Sequence, residues 1–190
     1  MARLPYLKRD DLGPAGRVIY DQLWEGMRKR PTVGKKQGIE GTYALLLNNP
    51  ELAARIGPVG DYLLTQSGIE LDVKEIVCLA VARELNCQLE WTLHEPMARA
   101  AGVREHVIQG IKARNLKGFL PKERVFVDYS WEVLRNKVKD STWQAIDHLM
   151  GPKVAVNLTM LVSFTALISF CMDAFKDDLP VGAQPLLPIP

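Results

Sequence analysis

Three side chains capable of chemistry lie within one short stretch of the sequence, ELNCQLEWTLHEP: Cys87, Glu90 and His94. In a helix that starts at Asn86 they occupy positions i, i+3 and i+7, and therefore share one face. Cys87 would lie in the first turn, where the helix dipole favours a thiolate. Glu90 is one turn before His94, close enough for its carboxylate to hold and orient the imidazole, and an oriented histidine can move a proton. The alternative is a polar stripe on an ordinary helix.

The elements that must position this stretch are predicted to be helices, because helical periodicity recurs along the chain and no strand alternation persists. Asp72 and Glu75 have the spacing of a capping box at the start of the preceding helix. Asn86 is a plausible N-cap for the next helix, and Gly102 would end it. The other predicted helices start at Pro14, near Pro50, near Val103, at Pro121 (through about Val138), at Ser141 and after Pro152. We therefore predict a single all-α domain over residues 1–190.

The order of residues from Glu75 onward resembles the carboxymuconolactone decarboxylase and alkylhydroperoxidase D superfamily. The resemblance covers about Tyr43 to Ile111 and implies an alkylhydroperoxidase D-like helical bundle. It implies catalytic roles for His94, Glu90 and Glu75. Trp91 would be a core or pocket-wall aromatic, and Cys87 would line the substrate site, act as a nucleophile or be a small buried residue. Tyr43, expected in a loop before a helix, could reach the substrate. The residues that carry the resemblance are Glu75, Cys87, Glu90, Trp91, His94, Ala98, Gly102 and Val103.

One departure from the family pattern bears on the reaction. The peroxidase branch has a CxxC pair before the histidine, and here Glu90 replaces the second cysteine, so the dithiol couple is missing. Cys78 and Cys171 are predicted to be core residues, and neither is an obvious resolving partner for Cys87. The EWxxH form resembles the decarboxylase side of the superfamily, which implies acid–base catalysis without a metal or an organic cofactor.

The first functional hypothesis is a cofactor-free lyase or isomerase that acts on a small carboxylated lactone or a related activated acid. Glu90 would orient His94, His94 would move the proton, and Glu75 would be a second acid–base group or an orienting carboxylate. A second hypothesis is a one-cysteine peroxidase in which Cys87 is oxidised and an external thiol resolves it. A third is a non-catalytic protein that binds a small ligand or serves as an assembly subunit.

Composition excludes some partners. Hydrophobic residues make up 47% and charged residues 24% of the 190 residues, and the net charge is +2, so nothing favours nucleic acid. The basic run RKRPTVGKK at residues 28–36 is interpreted as a solvated helix end and loop, or otherwise as an anion-binding loop. An odd number of cysteines and an N-terminus without an apolar segment predict a cytoplasmic protein.

The segment Val154 to Phe175 is apolar over nearly its whole circumference and is about long enough to span a bilayer. Polar residues recur along it, so we favour a buried helix or an oligomer interface over a membrane span. This apolar surface predicts a homo-oligomer, either a trimer or a hexamer built from it, and the resemblance agrees. The proline-rich tail, residues 179–190, is expected to be extended, either across a neighbour or free.

Overall fold

The computed structural model describes residues 1–28 and 38–188, and all the regular structure in those ranges is helical. The basic run at residues 28–36 therefore lies almost wholly outside the described residues. A 3-10 turn at Arg9–Asp11 precedes the helices, which are α1 (Pro14–Met27), α2 (Thr42–Leu46), α3 (Pro50–Thr65), α4 (Leu71–Glu84), α5 (Gln88–Ala100), α6 (Glu105–Ala113), α7 (Pro121–Leu134) and α8 (Asp140–Phe175).

Proline sets three of the helix starts as the sequence predicts. Pro14, Pro50 and Pro121 occupy the first turns of α1, α3 and α7, where the missing N–H costs no hydrogen bond. One predicted end is wrong: α7 stops at Leu134 rather than near Val138. The chain reverses there because Asn136 adopts a left-handed backbone conformation with φ of 54°, which asparagine tolerates better than most residues.

Helix α4 is the central element of the fold. It packs against α5, α6, α7 and α8, and every residue from Val73 to Ala82 is buried. A helix enclosed on all sides shows little amphipathic pattern, so the face on which a polar residue of α4 lies must be read from the structure. The polar side chains of this buried run include Glu75 and, one turn later, Cys78.

Small residues allow α1 and α3 to approach closely. On α3, Ala53, Gly57 and Gly60 are buried, and a Cβ atom on Gly57 would collide with Leu23 of α1. The sequence pattern predicts the larger residue Leu52 on the apolar face of α3, with a break or kink at Gly57-Pro58. Instead Leu52 is exposed and the helix continues, because the glycines form the packed face.

Helix α8 contains the long apolar segment. It is bent at Gly151, whose φ of 71° is non-helical, so the break predicted at Gly151-Pro152 is present as a kink. By length and composition α8 could cross a membrane, but half of its most apolar window is buried inside the protein. The other side of the helix exposes a stripe at alternating spacings of four and three, here called the α8 stripe and formed by Val156, Met160, Ser163, Leu167 and Phe170.

The tail after α8 packs on its own chain. Leu187 is buried in the main core cluster. The Gln88 side-chain amide of α5, oriented to satisfy both of its polar atoms, donates to Leu187 O (2.7 Å) and accepts from Leu187 N (3.0 Å). The expectation of a tail that is free or lies across a neighbour is therefore corrected for these residues: the amide pairs with the extended backbone, and the leucine fills the core.

Candidate functional site

A sharp connection brings α4 and α5 together in antiparallel fashion. Leu85 ends α4, Asn86 has a left-handed φ of 53°, and Cys87 is the N-cap of α5. The prediction that Asn86 caps the helix is wrong by one residue, because Asn86 makes the turn itself. Arg83 donates to the Asn86 side-chain oxygen and to Lys112 O, which fixes the connection against α6.

His94 of α5 lies between two buried carboxylates. Its Nδ1 is 2.8 Å from Glu75 Oε2, and its Nε2 is 3.2 Å from Glu90 Oε1. The exposed fraction of the side chain is 14% for His94, 5% for Glu75 and 6% for Glu90. Since each ring nitrogen faces a carboxylate oxygen, an imidazolium can donate a hydrogen bond on both sides.

Glu75 reaches this site because it does not cap its helix. Glu70 is the N-cap residue of α4 and makes no side-chain cap bond, while Asp72 accepts from Val73 N. The predicted capping box is therefore absent, and the Glu75 carboxylate crosses from α4 to His94 on α5. The structure thus groups the three predicted catalytic residues, although their catalytic roles stay predictions.

Cys78 is a fourth member of this group, although the sequence analysis predicted it to be a core residue. Its sulfur, a Glu90 carboxylate oxygen and a His94 ring nitrogen all lie within 4.8 Å of one another. The thiol also lies 3.8 Å from Thr165 Oγ1 of α8. The sequence feature that could have identified Cys78 as a site residue is its spacing of three from Glu75, which puts both residues on one helix face.

Burial and charge act in opposite directions in this group. Burial lowers the pKa of His94, but Cys78, Glu90 and Glu75 raise that pKa and outweigh burial, so it lies well above its ordinary value. Burial raises the pKa of the Cys78 thiol against the opposing effect of His94. The sulfur and the two glutamates thus favour the protonated form of His94, while burial makes the Cys78 thiol hold its proton more tightly than an exposed thiol does.

The sequence leaves Cys87 as a site-lining residue, a nucleophile or a small buried residue, and in the structure it is buried. Its sulfur lies 3.9 Å from Ser169 O and 3.8 Å from Met172 Sδ, both on α8, in the second core cluster with α1 and α2. Burial is the largest effect on Cys87 and raises its pKa, although the backbone N–H of Glu90 opposes it. The thiolate expectation is corrected because desolvation exceeds the helix dipole.

The other two predicted substrate contacts also point elsewhere. Trp91 is completely buried, its indole N–H donates to Glu95, and Lys112 lies over its ring, so it is a core residue rather than a pocket wall. Tyr43 lies in the short helix α2 and not in a loop. A Cβ atom on Gly60 of α3 would lie 2.6 Å from the Tyr43 hydroxyl, which places that hydroxyl against α3.

The grouping can perform two kinds of chemistry. The protonated His94 imidazole, which is flanked by carboxylates, can give a proton to a substrate and recover it. As a set of nitrogen, oxygen and sulfur donors, Cys78, Glu90 and His94 could also hold a metal ion. Two cavities among the described residues lie elsewhere, one of about 190 Å³ between α1 and α3 and one of about 590 Å³ where α7 meets the first part of α8.

A solved structure identifies the fold. The chain is similar to the crystal structure of an alkylhydroperoxidase AhpD core, an uncharacterized peroxidase-related protein from Ralstonia eutropha JMP134. The TM-score is 0.72 with 16% sequence identity, and the match covers 94% of this chain and 92% of that one. The protein is thus an all-helical protein of the alkylhydroperoxidase D-like fold, as the sequence predicts.

A protein-family model matches the part of the chain that contains the His94 group. Residues 50–115, which contain α3 to α6 and the whole His94 group, match the Carboxymuconolactone decarboxylase family. A search of curated proteins found no match. The matched segment, residues 50–115, is thus similar to that family, and the whole chain has the alkylhydroperoxidase D-like fold.

Proposed function

We propose that the protein is a cofactor-free proton-transfer enzyme, a lyase or isomerase whose substrate is a small carboxylated lactone or a related activated acid. The observation that carries the proposal is the position of His94, with a buried carboxylate on each ring nitrogen. A fixed histidine that holds a proton at neutral pH is the group that protonation of a carbanion requires. The family match over the same residues supports this class of reaction.

The geometry supports the following role for each residue. When a carboxylated lactone loses CO2, the electron pair of the broken C–C bond enters a dienolate, which must be protonated at carbon. His94 donates that proton, and Glu75 on Nδ1 fixes the orientation of the ring. Glu90 faces Nε2, where it can receive or return a proton as the substrate changes charge. Buried donors near the dienolate stabilise its developing charge better than water does.

Turnover in deuterated water tests this proposal. The protein is incubated with a panel of carboxylated lactones and unsaturated acids, and proton NMR follows CO2 loss and deuterium incorporation at carbon. His94→Gln should lower the rate by roughly two to four orders of magnitude if His94 is the general acid. Cys87→Ser, which changes a buried residue outside the group, is the matched control. A folded His94→Gln variant with the wild-type rate would refute the assignment.

One observation favours a second candidate, a one-cysteine peroxidase, but with a different thiol from the one predicted. Cys78, and not Cys87, adjoins His94. In this reaction the Cys78 sulfur attacks one oxygen of a hydroperoxide, the O–O bond breaks, and His94 protonates the departing alkoxide. An external thiol then reduces the sulfenic acid and is itself oxidised. After exposure to peroxide, a sulfenic-acid probe should label Cys78 in wild type and in Cys87→Ser; labelling of Cys87 alone would refute this candidate.

We also propose that the protein works as a homo-oligomer, a trimer or a hexamer, in the cytoplasm. The α8 stripe supports the first point, because its spacing of four and three is the pattern with which helices pack against each other in coiled coils. A single chain leaves these apolar side chains in water. The three cysteines are free, which agrees with a reducing compartment.

A further inference from the structure

We propose that Cys78, Glu90 and His94 form a binding site for one Zn²⁺ ion, and that the ion and the catalytic proton exclude each other. This inference goes beyond the proposed function, because that function uses no metal. It rests on the positions of three donor atoms contributed by two adjacent helices.

The donor set has the chemistry that zinc prefers. A thiolate, an imidazole nitrogen and a carboxylate oxygen are all common zinc ligands, and three protein ligands with one open position are typical of zinc sites that exchange a ligand. Cys78 and Glu90 are buried, and His94 is the most exposed of the three. The fourth position would therefore open on the histidine side of the group.

The distances are close to those of a tetrahedral site. Ligand atoms about 2.0–2.3 Å from a zinc ion stand roughly 3.3–3.6 Å apart. His94 Nε2 and Glu90 Oε1 are already separated by 3.2 Å. Cys78 Sγ lies within 4.8 Å of a His94 ring nitrogen and of a Glu90 carboxylate oxygen, so a displacement of the thiol on the order of one ångström completes the set.

Glu75 supplies the support that a metal-binding histidine usually has. Its carboxylate lies 2.8 Å from Nδ1 of His94, on the side of the ring opposite Glu90. This leaves Nε2 for the ion, in the carboxylate–histidine–zinc arrangement that fixes ring orientation and raises the basicity of the ligand.

The ion and the proton compete because both use the same lone pair of His94 Nε2. A bound Zn²⁺ takes the place of a proton on that nitrogen and of the thiol proton of Cys78, so metal binding releases protons.

Cobalt provides the direct test, because Co²⁺ substitutes for Zn²⁺ and a cobalt–thiolate bond absorbs in the near ultraviolet. The full-length protein, reduced and stripped with a chelator, is titrated with Co²⁺ and then with Zn²⁺. We expect one Co²⁺ per chain, a charge-transfer band, and loss of that band as Zn²⁺ displaces the cobalt. Cys78→Ser should abolish the band, whereas Cys87→Ser and Cys171→Ser should keep it.

A second variant keeps the inference testable if Cys78→Ser does not fold. Glu75→Gln leaves all three ligands in place and should weaken Zn²⁺ binding by about 10–100-fold, because it removes only the support of the histidine. A titration without a charge-transfer band, or a band that is lost in Cys87→Ser or Cys171→Ser, would overturn the proposal. No substrate is needed, so a negative result would leave the proton-transfer proposal unaffected.

Discussion

Replacing Phe170 by glutamate should break the proposed homo-oligomer into monomers. In the single chain the exposed fractions are 58% for Val156, 47% for Met160, 40% for Leu167 and 60% for Phe170. A fully buried side chain of these types contributes about 1.5–3 kcal/mol. Covering the exposed half of these four side chains is therefore worth about 3–6 kcal/mol for each α8 that enters an interface.

The Phe170→Glu substitution reduces this association free energy in two ways. It removes about 1–2 kcal/mol of apolar burial per chain, and it places a carboxylate in an apolar contact, which costs several kcal/mol more when the charge has no partner. Because every 1.4 kcal/mol changes a dissociation constant tenfold, the variant should dissociate at concentrations where wild type is assembled.

Light scattering after size exclusion, in buffer without detergent, measures the effect. Wild type should elute as a particle several times the chain mass of 21.3 kDa, and Phe170→Glu as a monomer with unchanged circular dichroism. Val18→Glu is the matched control, since Val18 is 57% exposed on α1, and it should stay assembled. A monodisperse wild-type monomer would refute the oligomer, and wild type that is soluble only in detergent would favour a membrane span.

Three further predictions concern single residues. After peroxide treatment, mass spectrometry should find no intramolecular disulfide to Cys87; a bridge to Cys78 that forms and breaks with turnover would contradict the absence of a dithiol cycle. Glu95→Gln should lower the free energy of unfolding by about 1–3 kcal/mol in urea titrations, because this buried carboxylate accepts from three donors; an unchanged midpoint would contradict that role. Burial and the neighbouring carboxylates raise the pKa of Tyr6 to about 12, and its hydroxyl donates to Asp177. Its contribution to stability is therefore complete below pH 10 and lost by about pH 12, so Tyr6→Phe should be less stable than wild type at neutral pH and converge with it at high pH. A difference that grows above pH 10 would refute this sign.

The sequence predicted the parts of the fold that depend on local rules. Prolines at the first turns of α1, α3 and α7 mark helix starts because of their fixed φ. The contact between Glu90 and His94 was predictable because residues four apart on a helix are neighbours. The apolar residues Val103, Val107 and Ile111 recur at helical spacing in the sequence, and all three are buried.

The parts that the sequence could not predict depend on contacts between helices. Helix α4 is buried on all sides, so its periodicity could not tell which side Cys78 faces. Glu75 had the spacing of a capping residue, and only the packing of α4 against α5 shows that it binds His94 instead. Cys87 has the sequence position of a reactive thiol, yet the packing of α8 over it raises its pKa.

The position of Leu187 has a consequence for the order of folding during synthesis. This residue is translated after all eight described helices, yet it is buried in the same cluster as the residues of α4 and α5. Helices made early must therefore leave this position in their core unfilled until Leu187 has left the ribosome. Such a nascent chain exposes apolar surface, the condition under which chains aggregate or are held by chaperones. The pairing of the Gln88 amide with Leu187 thus completes the core only after α8 has been made.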